Sequence, residues 1–276
     1  MTEVPDVGKI IIRPSMLADY AACGRRAAAS LFREDFEAMG FTLRKMQPHI
    51  AGSLGTAVHK VVARLLKDKM KGIASSFKDV LAEGIAEFDK ETKNGVTTDD
   101  TTPNADTAYK QIMSIARMYA IRVLPQHQPK AVEVKVSYSL GDNYFLQGTF
   151  DSYDTADIVH DLKTGSRDNN YKYQVGAYVL GLKEAGEKPQ AAQIDHIART
   201  SPSAKKGQAE PTFERIDAQE ASIAAYALAH RIKADHQFFK SSGSEWAFTA
   251  DPSTNLCKEK YCSAWGTPAC TLWRNK

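Results

Sequence analysis

Apolar positions follow two rhythms along the chain. Between Ser15 and Leu124 they recur at three- and four-residue intervals, and from Ala131 to Leu162 they fall at every second residue, which predicts helices first and strands after. Ile10 to Arg13 is a short apolar run closed by Pro14, and Ser15 is placed to cap a helix through about Phe32 carrying Met16, Leu17, Tyr20, Cys23 and Ala27 on or beside one stripe. A polar, irregular stretch covers Gly40 to Gly52. Ser53 then opens a helix with Leu54, Val58, Val61, Val62, Leu65 and Leu66 on one side and His59 beside them. Ser75 to Glu91 predicts another helix, with Phe77, Val80, Leu81, Ile85 and Phe88 on its apolar face. Thr92 to Asn104, rich in Thr, Asp, Gly and Asn, predicts an exposed, mobile loop before a long helix from Asp106 to Leu124 closed by Pro125.

The change of period begins at Val132, Val134, Val136 and Tyr138, which alternate with Glu133, Lys135 and Ser137 and predict a strand with one apolar and one polar face. Gly141-Asp142-Asn143 turns the chain into Tyr144-Phe150, and Thr155-Ala156-Asp157 turns it again into Ile158-Leu162, giving three successive antiparallel strands. A helix from Asn170 to Ala185 follows, then a strand over Gln190-Arg199 added beside the others by a crossover. A strand near Thr212-Ile216 and an Ala-rich helix from Ala218 to Phe239 complete the pattern. The fold class is therefore α/β, with a mixed central sheet flanked by helices in a single domain over residues 1–276, its core about 50–200.

Composition adds modest limits. With 276 residues and 43% hydrophobic content the chain can bury a full core, and it has no run of about 18 apolar residues that would cross a membrane. Met1 to Asp6 lacks the charged-then-apolar order of a signal peptide, so a cytoplasmic protein is expected. A net charge of +3 and the basic pairs Arg25-Arg26, Arg44-Lys45 and Lys205-Lys206 are compatible with a polyanionic partner but do not by themselves establish one.

Candidate chemistry concentrates between Gly148 and Tyr178. If Gly148-Asp151 and Ile158-Lys163 are neighbouring strands, Asp151, Asp161 and Lys163 converge, since Asp161 and Lys163 are two apart and share a face. Two carboxylates and an ammonium at one point suit a hard cation such as Mg2+ or Mn2+ acting on a phosphate. Four cysteines form a second set, with Cys23 near the start and Cys257, Cys262 and Cys270 near the end. In a cytosolic chain such thiols point to metal rather than disulfides, and the placement would staple the two termini across the core.

The motifs in their order resemble the PD-(D/E)XK (restriction-endonuclease-like) nuclease superfamily. They look most like its RecB-type branch, with the AddB subunits, the iron-sulfur nucleases of CRISPR adaptation and phage recombination exonucleases. The matching residues are Gly55-Thr56-Ala57-Val58-His59, Gly148-Thr149-Phe150-Asp151, Asp161-Leu162-Lys163-Thr164-Gly165, and Gln174 with Tyr178. The resemblance implies a divalent ion on His59, Asp151, Asp161 and the Leu162 carbonyl, with Lys163, Gln174 and Tyr178 around the reacting phosphate; Glu133, on the preceding strand with its side chain away from the apolar set, is expected as an additional acidic ligand or as a partner to the ligands. The resemblance also implies a 4Fe-4S cluster on Cys23, Cys257, Cys262 and Cys270, joining helix 14–33 to the tail 251–270. Gly24 replaces the usual Pro after Cys23 and the C-terminal spacings are wide, which leaves Zn2+ as the alternative occupant.

The function so implied is a metal-dependent DNA exonuclease of recombination, repair or phage DNA processing, acting in the cytoplasm, or the host cytoplasm if phage-encoded. Its partners would be DNA ends or single strands and an annealing or helicase protein. The alternatives are a structure-specific or CRISPR-adaptation-type endonuclease and a non-catalytic iron-sulfur DNA-binding protein.

Overall fold

The structure, a computed structural model, describes residues 8–165, 170–201, 204 and 207–272; Met1 to Asp6 and the Lys205-Lys206 pair lie outside the described residues. A short strand β1 (Ile10–Ile12) leads into helices α1 (Ser15–Ala22), α2 (Gly24–Leu31) and α3 (Arg33–Ala38). The single helix expected through Phe32 is thus broken. Cys23 sits between α1 and α2 in an extended conformation, φ −159° and ψ 98°, and Pro14 rather than Ser15 holds the capping position. Arg25 N–H bonds Thr249 O across this break, so the C-terminal segment helps to fix the turn.

Helix α4 (Ile50–Met70) begins three residues before Ser53 because the His49 ring accepts from Ala51 N. Its face of Leu54, Val58, Val62 and Leu66 packs against Ile112 and Ile115 of α6 (Ala105–Met118) and against Leu162, and α5 (Phe77–Thr92) lies alongside with Val80 on Val61 and Leu65. After Met118 the helix widens into a π-type turn over Tyr119–Val123 instead of running on to Leu124. The stretch between α5 and α6 is less exposed than its composition suggests. Thr102 is fully buried, and Arg199 donates to both Asp99 and the Thr102 hydroxyl.

Strands β2 (Pro129–Gly141), β3 (Tyr144–Asp154) and β4 (Ile158–Lys163) form the antiparallel meander. β2 covers one edge of β3 along its length, while β1, parallel, and β4, antiparallel, share the other. Helix α7 (Lys172–Glu184) is the crossover that brings β5 (Ala191–His196) parallel to β4, and β6 (Thr212–Asp217) closes the sheet antiparallel to β5. β5 stops at His196 rather than Arg199, although Ile197 N and Arg199 N still donate to Lys163 O and Thr164 O, and the Arg199 side chain holds Asp99 and Thr102. The apolar face of β2 is also interrupted. Val132 and Val136 are buried, but Val134 is 42% exposed beside Glu133, whose φ of 50° puts a kink in the strand.

Helix α8 (Ala218–Ser242) is capped by Asp217, which accepts from Glu220 N, and ends at Gly243 in the left-handed region. It lies on α7 at very short range. The contact is made by Gly176, where a β-carbon would fall 2.0 Å from Ala221 O, and α7 is buried from Val175 through Leu182 as a result. α7 is thereby clamped between α8 and the sheet, which fixes where its polar residues Gln174 and Tyr178 emerge.

Candidate active site

Asp161 and Lys163 alternate along β4 and present to one face of the sheet. The pairing of Tyr153 with Val159, extended by two residues, sets Asp151 of β3 across from Asp161. Both carboxylates are held by named partners. Asp151 Oδ2 accepts from Leu162 N at 2.7 Å, and its Oδ1 lies 2.9 Å from Nδ1 of His59, which α4 brings in from the side. Asp161, 2% exposed, pairs through Oδ2 with Lys163 Nζ at 2.6 Å and accepts at Oδ1 from Gln174 Nε2 at 3.3 Å.

Gln174 closes the circuit. Its Oε1 accepts from Lys163 Nζ at 2.9 Å while its Nε2 also donates to Tyr178 OH at 2.9 Å, one turn along α7. Lys163 additionally lies over the Tyr171 ring, 5.2 Å from its centre, a contact absent from the sequence reading. The site opens into a cleft bordered by Ser15, Asp19, Gly165 and Asn170.

The electrostatics are those of buried charges that hold one another. Burial raises Asp161, with Asp151 adding to the rise against the pull of Lys163. Burial opposes the charge on Lys163, but Asp161 and Asp151 outweigh it and raise the ammonium. Burial also works against ionised Asp151, yet His59, Lys163 and the Leu162 N–H keep it below the usual carboxylate range. His59 in turn is raised by Asp151 in spite of its own burial. Tyr178 is pushed far up by burial and by Asp161, so it stays a neutral hydroxyl.

The structure therefore gathers His59, Asp151, Asp161, Lys163, Gln174 and Tyr178. Glu133 stands apart from them. Opposite Asp151 in the register, it sends its carboxylate to Lys67 Nζ at 2.6 Å, because the kink at its own backbone turns it toward α4. Replacing Gln174 by alanine frees Lys163 from one of its two polar anchors. Any turnover the site supports should fall about 10- to 100-fold through mispositioning, with ligand affinity nearly unchanged, in single-turnover assays; undiminished turnover would show that Gln174 positions nothing.

The cysteines converge as well. Cys23, Cys257, Cys262 and Cys270 all line one pocket with Arg25, Arg26, Pro252 and Trp265, and none is in a disulfide. Burial, with Cys23 and Cys270 close by, pushes the Cys262 thiol up to about 11. Arg25, read from the sequence as half of an exposed basic pair, is instead 1% exposed. Its Nη2 donates to Phe248 O at 3.3 Å and its guanidinium stacks on Trp246, but Nε and Nη1 have no partner among the described residues.

Acidic side chains and a lysine gathered on neighbouring strands of a mixed sheet, with a polar helix face across them, are a set suited to a divalent cation with an ammonium beside it. The chain matches the family model of the PD-(D/E)XK nuclease superfamily over residues 13–267, and it belongs to that superfamily. Among solved structures, a candidate exonuclease from Eubacterium rectale is 14% identical with a TM-score of 0.54, over 93% of this chain and 92% of the other, and shares the fold. LHK-Exo, solved with dAMP, is 12% identical with a TM-score of 0.32 over 69% of this chain and 97% of its own, too far in shape to add to this. A comparison with curated proteins gave no match.

Proposed function

We propose that this protein is a metal-dependent DNA exonuclease of the RecB-type branch. The observation that carries the reading is the closed set of contacts around Lys163 Nζ, which meets Asp161 and Gln174 within 3 Å while Asp151 is fixed between His59 and Leu162 N. His59, Asp151, Asp161 and the Leu162 carbonyl would supply an oxygen-rich donor set with one imidazole, which suits Mg2+ or Mn2+. When bound, the cation lowers the pKa of a water and offsets charge on the scissile phosphate. Lys163 would then serve as the fixed charge of the site. Held by Gln174, which Tyr178 anchors in turn, its ammonium would face the attacking water or the phosphate oxygen.

An exonucleolytic mode on DNA ends or single strands follows from the branch resemblance, with roles in recombination, repair or phage DNA processing. Incubation with end-labelled linear and closed circular DNA distinguishes it. Release of label from linear DNA with circular DNA intact is the expected result, and nicking of circles at a comparable rate would favour the endonuclease.

The cysteine pocket fits a 4Fe-4S cluster that ties the chain ends together. A buried guanidinium with two nitrogens unpartnered among the described residues calls for an anion, and four thiolates around a metal centre would supply one. Zn2+ on the same four thiolates is the alternative occupant. Cys262→Ser should lose iron and visible absorbance and unfold at lower temperature, by anaerobic iron analysis and thermal melting. Wild-type protein holding zinc and no iron would count against the cluster.

A further inference from the structure

A second set of ligand-type side chains lies on the face of the sheet away from Asp161 and Lys163. His160 and Leu162 alternate with those residues on β4, and Asp195 pairs with Leu162 on β5, so His160 and Asp195 share that opposite face. His127, from the turn before β2, joins them. All three are almost fully buried, at 2% for His127, 4% for His160 and 1% for Asp195.

Their geometry is that of a ligand set. His127 Nε2 lies 3.2 Å from Asp195 Oδ2, His160 Nδ1 lies 3.5 Å from the same oxygen, and all three atoms lie within 4.8 Å of one another. Bonds of 2.0–2.2 Å in a tetrahedral shell place neighbouring ligand atoms about 3.3–3.6 Å apart. Both nitrogens are buried facing Asp195 Oδ2, and neither makes an aligned hydrogen bond among the described residues.

The outer nitrogens are the satisfied ones. His160 Nε2 meets Asp154 Oδ2 at 3.1 Å, and His127 Nδ1 meets Tyr119 OH at 3.3 Å. Asp154 is itself fixed by the N–H groups of Ala156 and Ile158. A metal-ligating histidine characteristically donates its far N–H to a carboxylate or other oxygen, which sets the tautomer and turns the near nitrogen to the ion. Charge agrees with this. Two carboxylates, Asp154 and Asp195, are buried side by side with two imidazoles, and a divalent ion with both rings neutral brings the sum to zero.

We propose that His127, His160 and Asp195 form a buried structural site for a transition-metal cation of the zinc type, separate from both the cleft and the cysteine pocket. It would lock β4 and β5 together directly behind Asp161 and Lys163. The donor set of two imidazoles and a carboxylate suits Zn2+ over Mg2+. Enclosure implies loading during folding and slow exchange.

The test uses the full chain grown with zinc, purified without chelator and crystallised. Anomalous difference maps collected above and below the zinc edge should show one site between the three side chains, distinct in space from the cleft and the cysteine pocket. In solution, Asp195→Asn should lose one equivalent of zinc per chain while Cys262→Ser keeps it. No anomalous peak in zinc-grown protein with the three side chains ordered as described would overturn the proposal and leave a protonated His160 clamped between Asp154 and Asp195. The anomalous measurement decides the matter even if Asp195→Asn does not fold.

Discussion

Lys163→Ala is expected to lower DNA cleavage by about 1000-fold or more, the loss seen when a preorganised charge is removed from a developing anion. The ammonium is the site's only cation in contact with Asp161 among the described residues, and Gln174 Oε1 and Asp161 Oδ2 hold it within 2.9 Å and 2.6 Å. Its removal leaves the Asp161 carboxylate buried beside Asp151. Burial and Asp151 already raise Asp161, and loss of Lys163 raises it further, which limits the stability cost to about 1–3 kcal/mol. The variant should therefore fold, bind DNA and fail to cut it. Single-turnover cleavage and circular dichroism on the same preparation separate these readouts. Activity within tenfold of wild type would remove Lys163 from the catalytic group.

Gly176→Ala should have the largest effect on stability of any single-methyl change described. The new β-carbon would lie 2.0 Å from Ala221 O and 2.4 Å from its carbonyl carbon, and both are α8 backbone that cannot rotate away. α7 and α8 must separate, which opens the core around Val175, Val179 and Ala225 and moves Gln174 off the sheet. A cost of about 3 kcal/mol or more follows from overpacking against a rigid partner. Gly52→Ala is the control. That position opens onto free space within α4, so the same methyl should stabilise by up to about 1 kcal/mol. Urea unfolding of the two variants checks the pair, and equal midpoints would contradict the close contact.

The strand meander and the crossover helix were legible because period-two alternation and the Gly141-Asp142-Asn143 turn are local signals. So was the grouping of Asp151, Asp161 and Lys163, which needs only strand alternation and one turn. What escaped the sequence depends on distant partners. The first helix breaks at Cys23, where Thr249, 226 positions away, helps to fix the backbone of Arg25. Thr102 is buried because Arg199 reaches back to it, and Val134 is exposed because Glu133 kinks the strand toward Lys67. The cluster of His127, His160 and Asp195 had a partial signal. The alternation that sent Asp161 to one face necessarily sent His160 to the other, but only the fold brings His127 and Asp195 to meet it.

The measurement closest to the central claim is hydrolysis of one labelled linear DNA by anaerobically purified protein under three conditions: with Mg2+ or Mn2+, with excess chelator, and with Asp161→Asn in place of wild type. Cleavage that appears only for wild type with the divalent ion is the predicted result. DNA left whole by folded, DNA-binding wild-type protein with either ion, or equal cleavage by Asp161→Asn, would contradict a nuclease built on this site.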